Sequence, residues 1–341
     1  MGIVMGIASK SLKIPKLALR AGIAVALGAG AAAASVAGVR AFKRQVTKSC
    51  MPFYAASDAC FTIPGLDSGF VPQDLFYIED EDIWLFSGYQ ANRKPSPLYR
   101  VSPDGATAKL IIKLPDGSLY KGHGAAIAAT AEHGFLTVKD GYVVMPTEGI
   151  LRAVDGDVLQ ATAHVPVELM PAFMNIHDDV LYIGEFHHNL FYQTPRSHWL
   201  TTPTGKTNPA LMYAYTADEK GLFGFARQAS AVFSIPGNIQ GMCVTANGKL
   251  VLSRSWGFRD AEVLVYDVSK LEAEGTYIVD GHEAPLFFLD ERSLEKTITV
   301  PPMAEGVDAI KDHVYLSNES ASNLYLLGKA DDGKYVYSFT V

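Results

Sequence analysis

The chain has 341 residues, 48% of them hydrophobic, with 30 glycines, 18 prolines and a formal net charge of −7. That composition excludes a disordered chain and is ample for one large folded domain. Outside the N-terminal segment no basic stripe remains, which excludes nucleic acid as a partner.

The N-terminal segment is different in kind. Lys10, Lys13, Lys16, Arg20, Arg40, Lys43, Arg44 and Lys48 all precede the first acidic residue, Asp58. Between them Ala21–Val39 carries no charge, and its length is close to the about 20 residues that cross a bilayer. The pattern reads as a basic region over 1–20, a signal peptide or signal anchor over 21–39 and a linker over 40–60. It predicts an exported protein, membrane-anchored through this segment or secreted; an alanine-rich soluble helix and an organelle transit peptide are the alternatives. Cys50 and Cys60 follow, and in an oxidising compartment they would pair and pin the first strand, with two free thiols as the alternative. Cys243 lies in an apolar strand and reads as core.

From residue 61 onward the chain is predicted to be all-β. Five runs end in proline, at Pro64, Pro115, Pro166, Pro236 and Pro301, and each leads into a new apolar strand. Strands recurring at this spacing are the signature of a radial array, a β-propeller. In each copy a polar or special residue opens an innermost strand: Gln73, His123, Pro171, Gln240 and Glu305. A second strand then finishes fourteen residues beyond the opener, as in Glu185, Arg254 and Glu319. Turn residues join the two: Glu81-Asp82, His133-Gly134, Asp178-Asp179, Asn247-Gly248 and Asp312. Pro97–Val101 and Val263–Asp267 read as third strands, and the proline runs as outer edge strands, where a missing N–H costs no ladder bond. The spacing predicts five blades, with a sixth, degenerate one as the alternative because the copies after 171 and 240 are long. The terminal run Tyr335–Val341 lacks an outer strand, and Phe61–Pro64 would supply it, closing a ring over 61–341 and hiding an aggregation-prone edge.

This register converges Gln73, His123, Glu185, Gln240, Arg254, Glu305 and Glu319 on one channel mouth. Such a set suits a small polar molecule or glycan. Glu185, Glu305 and Glu319 could instead hold Ca²⁺ through hard oxygen donors, or act as a general acid/base pair. The plain alternative is that rim groups pair with one another, Arg254 with Glu319 or Glu305. The insertion after Glu185 carries His187, His188, His198 and Trp199 and reads as an aromatic lid over the mouth; adjacent histidines on a strand face opposite sides, which argues against a shared metal. No nucleophile elbow, P-loop or dinucleotide fingerprint occurs.

Ile239-Gln240-Gly241-Met242, Pro302-Met303-Ala304-Glu305-Gly306 and Asn318-Glu319-Ser320 resemble motifs of exported bacterial propellers, and more distantly those of the senescence-marker/gluconolactonase and strictosidine-synthase-like propellers. The resemblance spans 61–341. It implies six blades and, for the lactonases, a divalent metal held by Glu, Asn and Asp, with Glu305 matching the Glu. The residues leave three functions standing: a monomeric ligand-binding module for a small polar molecule or glycan, a calcium-dependent hydrolase of lactonase or phosphoesterase type, and a protein-interaction scaffold.

Overall fold

The computed structural model describes residues 48–325 and 333–341. The predicted basic region, the signal segment and the first part of the linker lie outside them. No helix among the described residues is long and apolar enough to cross a membrane.

The described chain forms a five-bladed β-propeller. Blade 1 comprises β2 (Phe70–Ile78), β3 (Ile83–Gln90), β4 (Pro97–Val101) and β5 (Thr107–Lys113), from the channel outward. Blade 2 comprises β6 (Ile127–Ala129), β7 (His133–Val138), β8 (Gly141–Pro146) and β10 (Ala163–Pro166). Blade 3 comprises β11 (Pro171–His177), β12 (Val180–Glu185), β15 (Ala210–Leu222) and β16 (Ala231–Ile235). Blade 4 comprises β17 (Ile239–Val244), β18 (Lys249–Arg254), β19 (Ala261–Asp267) and β22 (Leu294–Val300). Blade 5 comprises β23 (Ala304–Ile310), β24 (His313–Asn318), β25 (Tyr335–Thr340) and, from the other end of the domain, β1 (Asp58–Thr62). The innermost strands pack in the ring order β2, β6, β11, β17, β23 and back to β2.

The second strands read as unbroken apolar runs because both their faces are buried. In β3, Trp84 and Phe86 enter the seam with blade 5, while Leu85 between them enters the seam with blade 2. Ring closure follows the predicted pairing: Phe61 lies opposite Val336 and Thr62 opposite Tyr335. The Phe61 ring rests 5.7 Å from Trp84, and Ile63 is fully buried beyond it. The short helix α1 (Met51–Ala56) adds Phe53, whose ring meets Tyr337 at 5.6 Å and Phe339 at 5.3 Å. Cys50 and Cys60 are not joined. Cys50 is buried beside this helix, and Cys60 is exposed with its Sγ turned to the Asp58 carbonyl.

Each proline run ends the fourth strand of its blade, but two of those strands are not edges. A parallel strand, β9 (Val158–Gln160), lies outside β5, and the hairpin of β20 (Thr276–Val279) and β21 (His282–Phe288) lies outside β16. The prolines follow these strands, so no ladder bond is lost. The extra length after Pro171 and Gln240 forms the lid, with its short paired strands β13 (Leu200–Thr201) and β14 (Thr207–Asn208), and the β20–β21 hairpin rather than a sixth blade. The turns hold as expected at Asp82, Asp178-Asp179 and Gly248, all with positive φ. In blade 2, His133-Gly134 already lies within β7, and the turn is made earlier, by residues 130–132.

Four of the five inner strands carry a β-bulge at or beside the predicted opener: at Gln73, Ala172, Gln240 and the Glu305-Gly306 pair. A bulge leaves a residue out of the ladder and re-aims its side chain. The glycines after two of these openers permit the narrow ring. A Cβ on Gly241 would stand 2.8 Å from the Glu305 carbonyl oxygen of the next blade. One on Gly306 would stand 2.5 Å from the Asp74 Cα of the blade after that.

Candidate functional site

The bulges bring Gln240 and Glu305 together. The Gln240 amide donates to Glu305 Oε1 at 2.9 Å. Glu305 is almost fully buried, and burial, with Glu319 and Asp74 nearby, pushes its carboxyl well above the ordinary range against the Gln240 hydrogen bond. Glu319, on the turn after β24, is half-buried. Its Oε1 accepts from Tyr325 Oη at 2.9 Å and Tyr89 Oη at 3.1 Å, and Gln73 also hydrogen-bonds this carboxylate. Burial raises Glu319 too, and those three donors oppose the rise. Tyr89, at the end of β3, stacks on His123 with ring centroids 4.7 Å apart. His123 reaches this place because Gly124 has φ +60° and passes so close to blade 1 that a Cβ would lie 2.6 Å from the Gly88 carbonyl oxygen. Gln73, His123, Gln240, Glu305 and Glu319 thus share one mouth.

A second polar layer lies deeper in the channel. Asp74 Oδ2 accepts from the Ile127 N–H at 3.0 Å, and Asp308 Oδ2 from the Tyr77 N–H at 2.7 Å, so each acid clips its inner strand to the next. Asn175 reaches across from blade 3 and donates to Asp308 Oδ1 at 3.1 Å. Burial raises Asp74 well above the ordinary carboxylate range and Asp308 to about 6. Burial likewise raises the Cys243 thiol, with Asp308 and Asp74 adding to it. Sequence reasoning missed Asp74, Asn175 and Asp308, whose signal is a lone polar residue inside an apolar inner strand. It missed Tyr89, two residues past Ser87 on the same strand face. Tyr325, on an irregular segment, left no pattern to find.

Glu185 and Arg254 do not join this mouth. Glu185 is 1% exposed, pairs with His198 Nδ1 at 2.8 Å and accepts the Leu211 N–H at 3.1 Å, all beneath the lid. Arg254 pairs with Glu262, its cross-strand neighbour on β19, through both Nε and Nη2. The expected pairing of Arg254 with Glu305 or Glu319 is therefore absent, and the expected carboxylate triad reduces to Glu305 and Glu319. Among the described residues no group of three or more His, Cys, Asp and Glu side chains is arranged to hold a metal ion. No lysine or arginine is among the groups that raise or lower Asp74, Glu305, Asp308 and Glu319.

The lid histidines separate as alternation requires. His187 is buried, held by Thr194 Oγ1 and Asn189 Oδ1 at 2.9 Å each, with Trp199 edge-on to it. Trp199 Nε1 donates to Thr194, and the Arg196 guanidinium lies 3.8 Å over its ring. His188 faces the other way, 4.2 Å from Trp256. Asn318, at the mouth end of β24, is fully buried with neither amide atom hydrogen-bonded among the described residues, and the same holds for Ser320 Oγ on the following turn.

No family model matches the chain, and no curated protein matches it. Solved structures are similar at a distance. A gluconolactonase from Xanthomonas campestris matches 85% of this chain and 92% of its own, at 11% identity and a TM-score of 0.41. The PQQ-bound aldose sugar dehydrogenase from Streptomyces coelicolor matches 83% and 97%, at 12% identity and 0.40. A calcium-binding regucalcin from Agrobacterium tumefaciens matches 83% and 92%, at 10% identity and 0.40. All three are of low identity to this chain.

Proposed function

We propose that the protein is an exported β-propeller that binds a small, uncharged, hydroxyl-rich molecule, a sugar or glycan, at the channel mouth. The observation that carries this reading is Asn318. A buried amide with no partner costs roughly 1–3 kcal/mol per unsatisfied group, and this one stands between the turn that bears Glu319 and the bulge that bears Glu305. Beside it lie amide donors, phenols and a carboxyl whose charge burial disfavours, so the mouth offers both donors and acceptors. With no lysine or arginine acting on its carboxyls, the mouth disfavours an anion. Calorimetric titration with neutral monosaccharides tests the reading. Binding that weakens at least ten-fold in N318A supports it; binding to N318A equal to that of the parent protein counts against it.

A second reading has its own observation, the raised Glu305 beside Glu319. Burial raises both carboxyls, and two neighbouring carboxyls that favour a shared proton are the parts of a general acid/base pair, which would make the mouth a hydrolase site. Turnover of sugar lactones or aryl phosphates that disappears in both E305Q and E319Q would establish it. Calcium, expected at Glu185, Glu305 and Glu319, would meet only the last two here, against the burial that disfavours charge on Glu305. A calcium-dependent rise in melting temperature, reversed by chelator, would place the ion at the mouth.

A further inference from the structure

The lid and the loop after β18 build a feature that the mouth does not use. Phe191 and Trp256 stay 46% and 37% exposed although both are large and apolar. Their rings stand 5.6 Å apart, inclined by 25°, and His188 lies against both, at 5.3 Å from Phe191 and 4.2 Å from Trp256, inclined by 27° and 30°. Three nearly parallel rings make a shelf. Burial and neighbouring His187 push the His188 imidazole down, so its ring is uncharged at neutral pH.

The shelf is tied to the mouth at both ends. The His187 carbonyl accepts the Asn238 N–H at 2.9 Å, and the Asn238 carbonyl accepts the Ser255 N–H at 2.9 Å, which sets Trp256 beside the lid; Asn238 itself is two residues before the Gln240 bulge. On the far side of the same loop, Phe258 meets Tyr325 at 6.4 Å, and Tyr325 donates to Glu319. One loop thus carries both Trp256 of the shelf and Phe258, which meets the Tyr325 partner of Glu319.

We infer that the shelf of His188, Phe191 and Trp256 is a second sugar subsite, and that the ligand is a neutral oligosaccharide whose one ring stacks there while a neighbouring ring hydrogen-bonds in the mouth. The inference rests on the sugar-binding reading above and adds the ligand's length to it. Flat aromatic faces suit the C–H face of a pyranose, and the polar groups beyond suit its hydroxyls. A bilayer is the poorer occupant. The shelf borders a mouth whose carboxyls have no lysine or arginine acting on them, so it offers anionic lipid no counter-charge. The strand that brings the chain into the propeller, β1, begins opposite Ser338, toward the far ends of β24 and β25 from Glu319.

Calorimetry on the full chain compares glucose, galactose and mannose with neutral di- and tetrasaccharides of each. The disaccharide should bind about ten-fold more tightly than its monosaccharide, the worth of one good aromatic contact. W256A and F191A should lose that gain and keep the monosaccharide affinity, while W256F restores it and shows that the loop folds. A length gain that survives both alanine variants overturns the shelf and leaves the mouth reading standing. No binding by any sugar overturns both. Retention on phosphatidylglycerol vesicles that W256A abolishes, with sugar affinity untouched, assigns the rings to a membrane surface instead.

Discussion

Burial, with Glu319 and Asp74 nearby, disfavours charge on Glu305. Gln is therefore close to its neutral twin, and E305Q should change stability by no more than about 0.5 kcal/mol in urea denaturation. E305L removes the acceptor of the Gln240 amide and should cost roughly 1–3 kcal/mol. Glu185 is instead a structural acceptor. E185A leaves His198 and the Leu211 N–H without their acceptor inside the domain and should cost roughly 3 kcal/mol. Equal stability of E185A and the parent protein would return Glu185 to the solvent-facing rim. Asp308 gives the pH dependence. Its folded value of about 6 lies above the ordinary 3.8, so between these values the folded state keeps a proton that the unfolded chain has released. Its contribution to stability is complete below the ordinary value and is lost as pH rises through about 6. Unfolding free energy should therefore fall from pH 4 to pH 7, and D308N should flatten that fall; a slope unchanged in D308N would assign it to Asp74 and Glu305. Half of the mouth was legible at this scale. Gln73, His123, Gln240, Glu305 and Glu319 follow from the strand register, because an opener and a strand end share one rim. Glu185 and Arg254 occupy the same register position, yet a nearer partner, His198 or Glu262, captures each. Nothing in the spacing foretells that capture.

At the scale of elements, the blades were readable because two signals agree: an outer strand ending in proline and an inner strand opened by a polar residue. The additions outside the blades were not. β9 is three residues long, and the β20–β21 hairpin covers blade 3 although its sequence lies within the blade 4 copy, so local pattern gives no hint of its partner. The bulges belong to this scale as well, since they turn an opener out of the ladder and into the channel. In blade 2 a glycine takes over that task. A side chain at Gly124 would be strained at φ +60° and would press on the Gly88 carbonyl. G124A should cost roughly 1–3 kcal/mol and move His123 off Tyr89. Loss of sugar binding in G124A, with H123A as its match, would show that the stack shapes the mouth; full binding in G124A would show that His123 stands outside it.

For the whole molecule, the decisive contact is the one between its two ends. Among the described residues β1 pairs only with β25, and Ile63 N–H donates to the Lys334 carbonyl at 2.9 Å just beyond the strand. Phe53, Phe61 and Ile63 fill the seams on either side. Burying side chains of this size is worth roughly 1.5–3 kcal/mol each, and losing them also bares the β25 edge to other chains. Two truncations separate closure from targeting. Removal of residues 1–47 keeps α1 and β1 and should leave the melting temperature unchanged, while a full-length fusion fractionates with membrane or medium and this truncation stays in the cytosol. Removal of residues 1–64 takes away the closing strand and should lower the unfolding free energy by about 5 kcal/mol, with aggregation on heating. If both truncations melt alike, the ring is held by its inner strands alone, through the Asp74 and Asp308 clips, and β1 is a cover rather than a clasp. If the full-length fusion is found wholly in the cytosol, the export reading fails while the closure result stands.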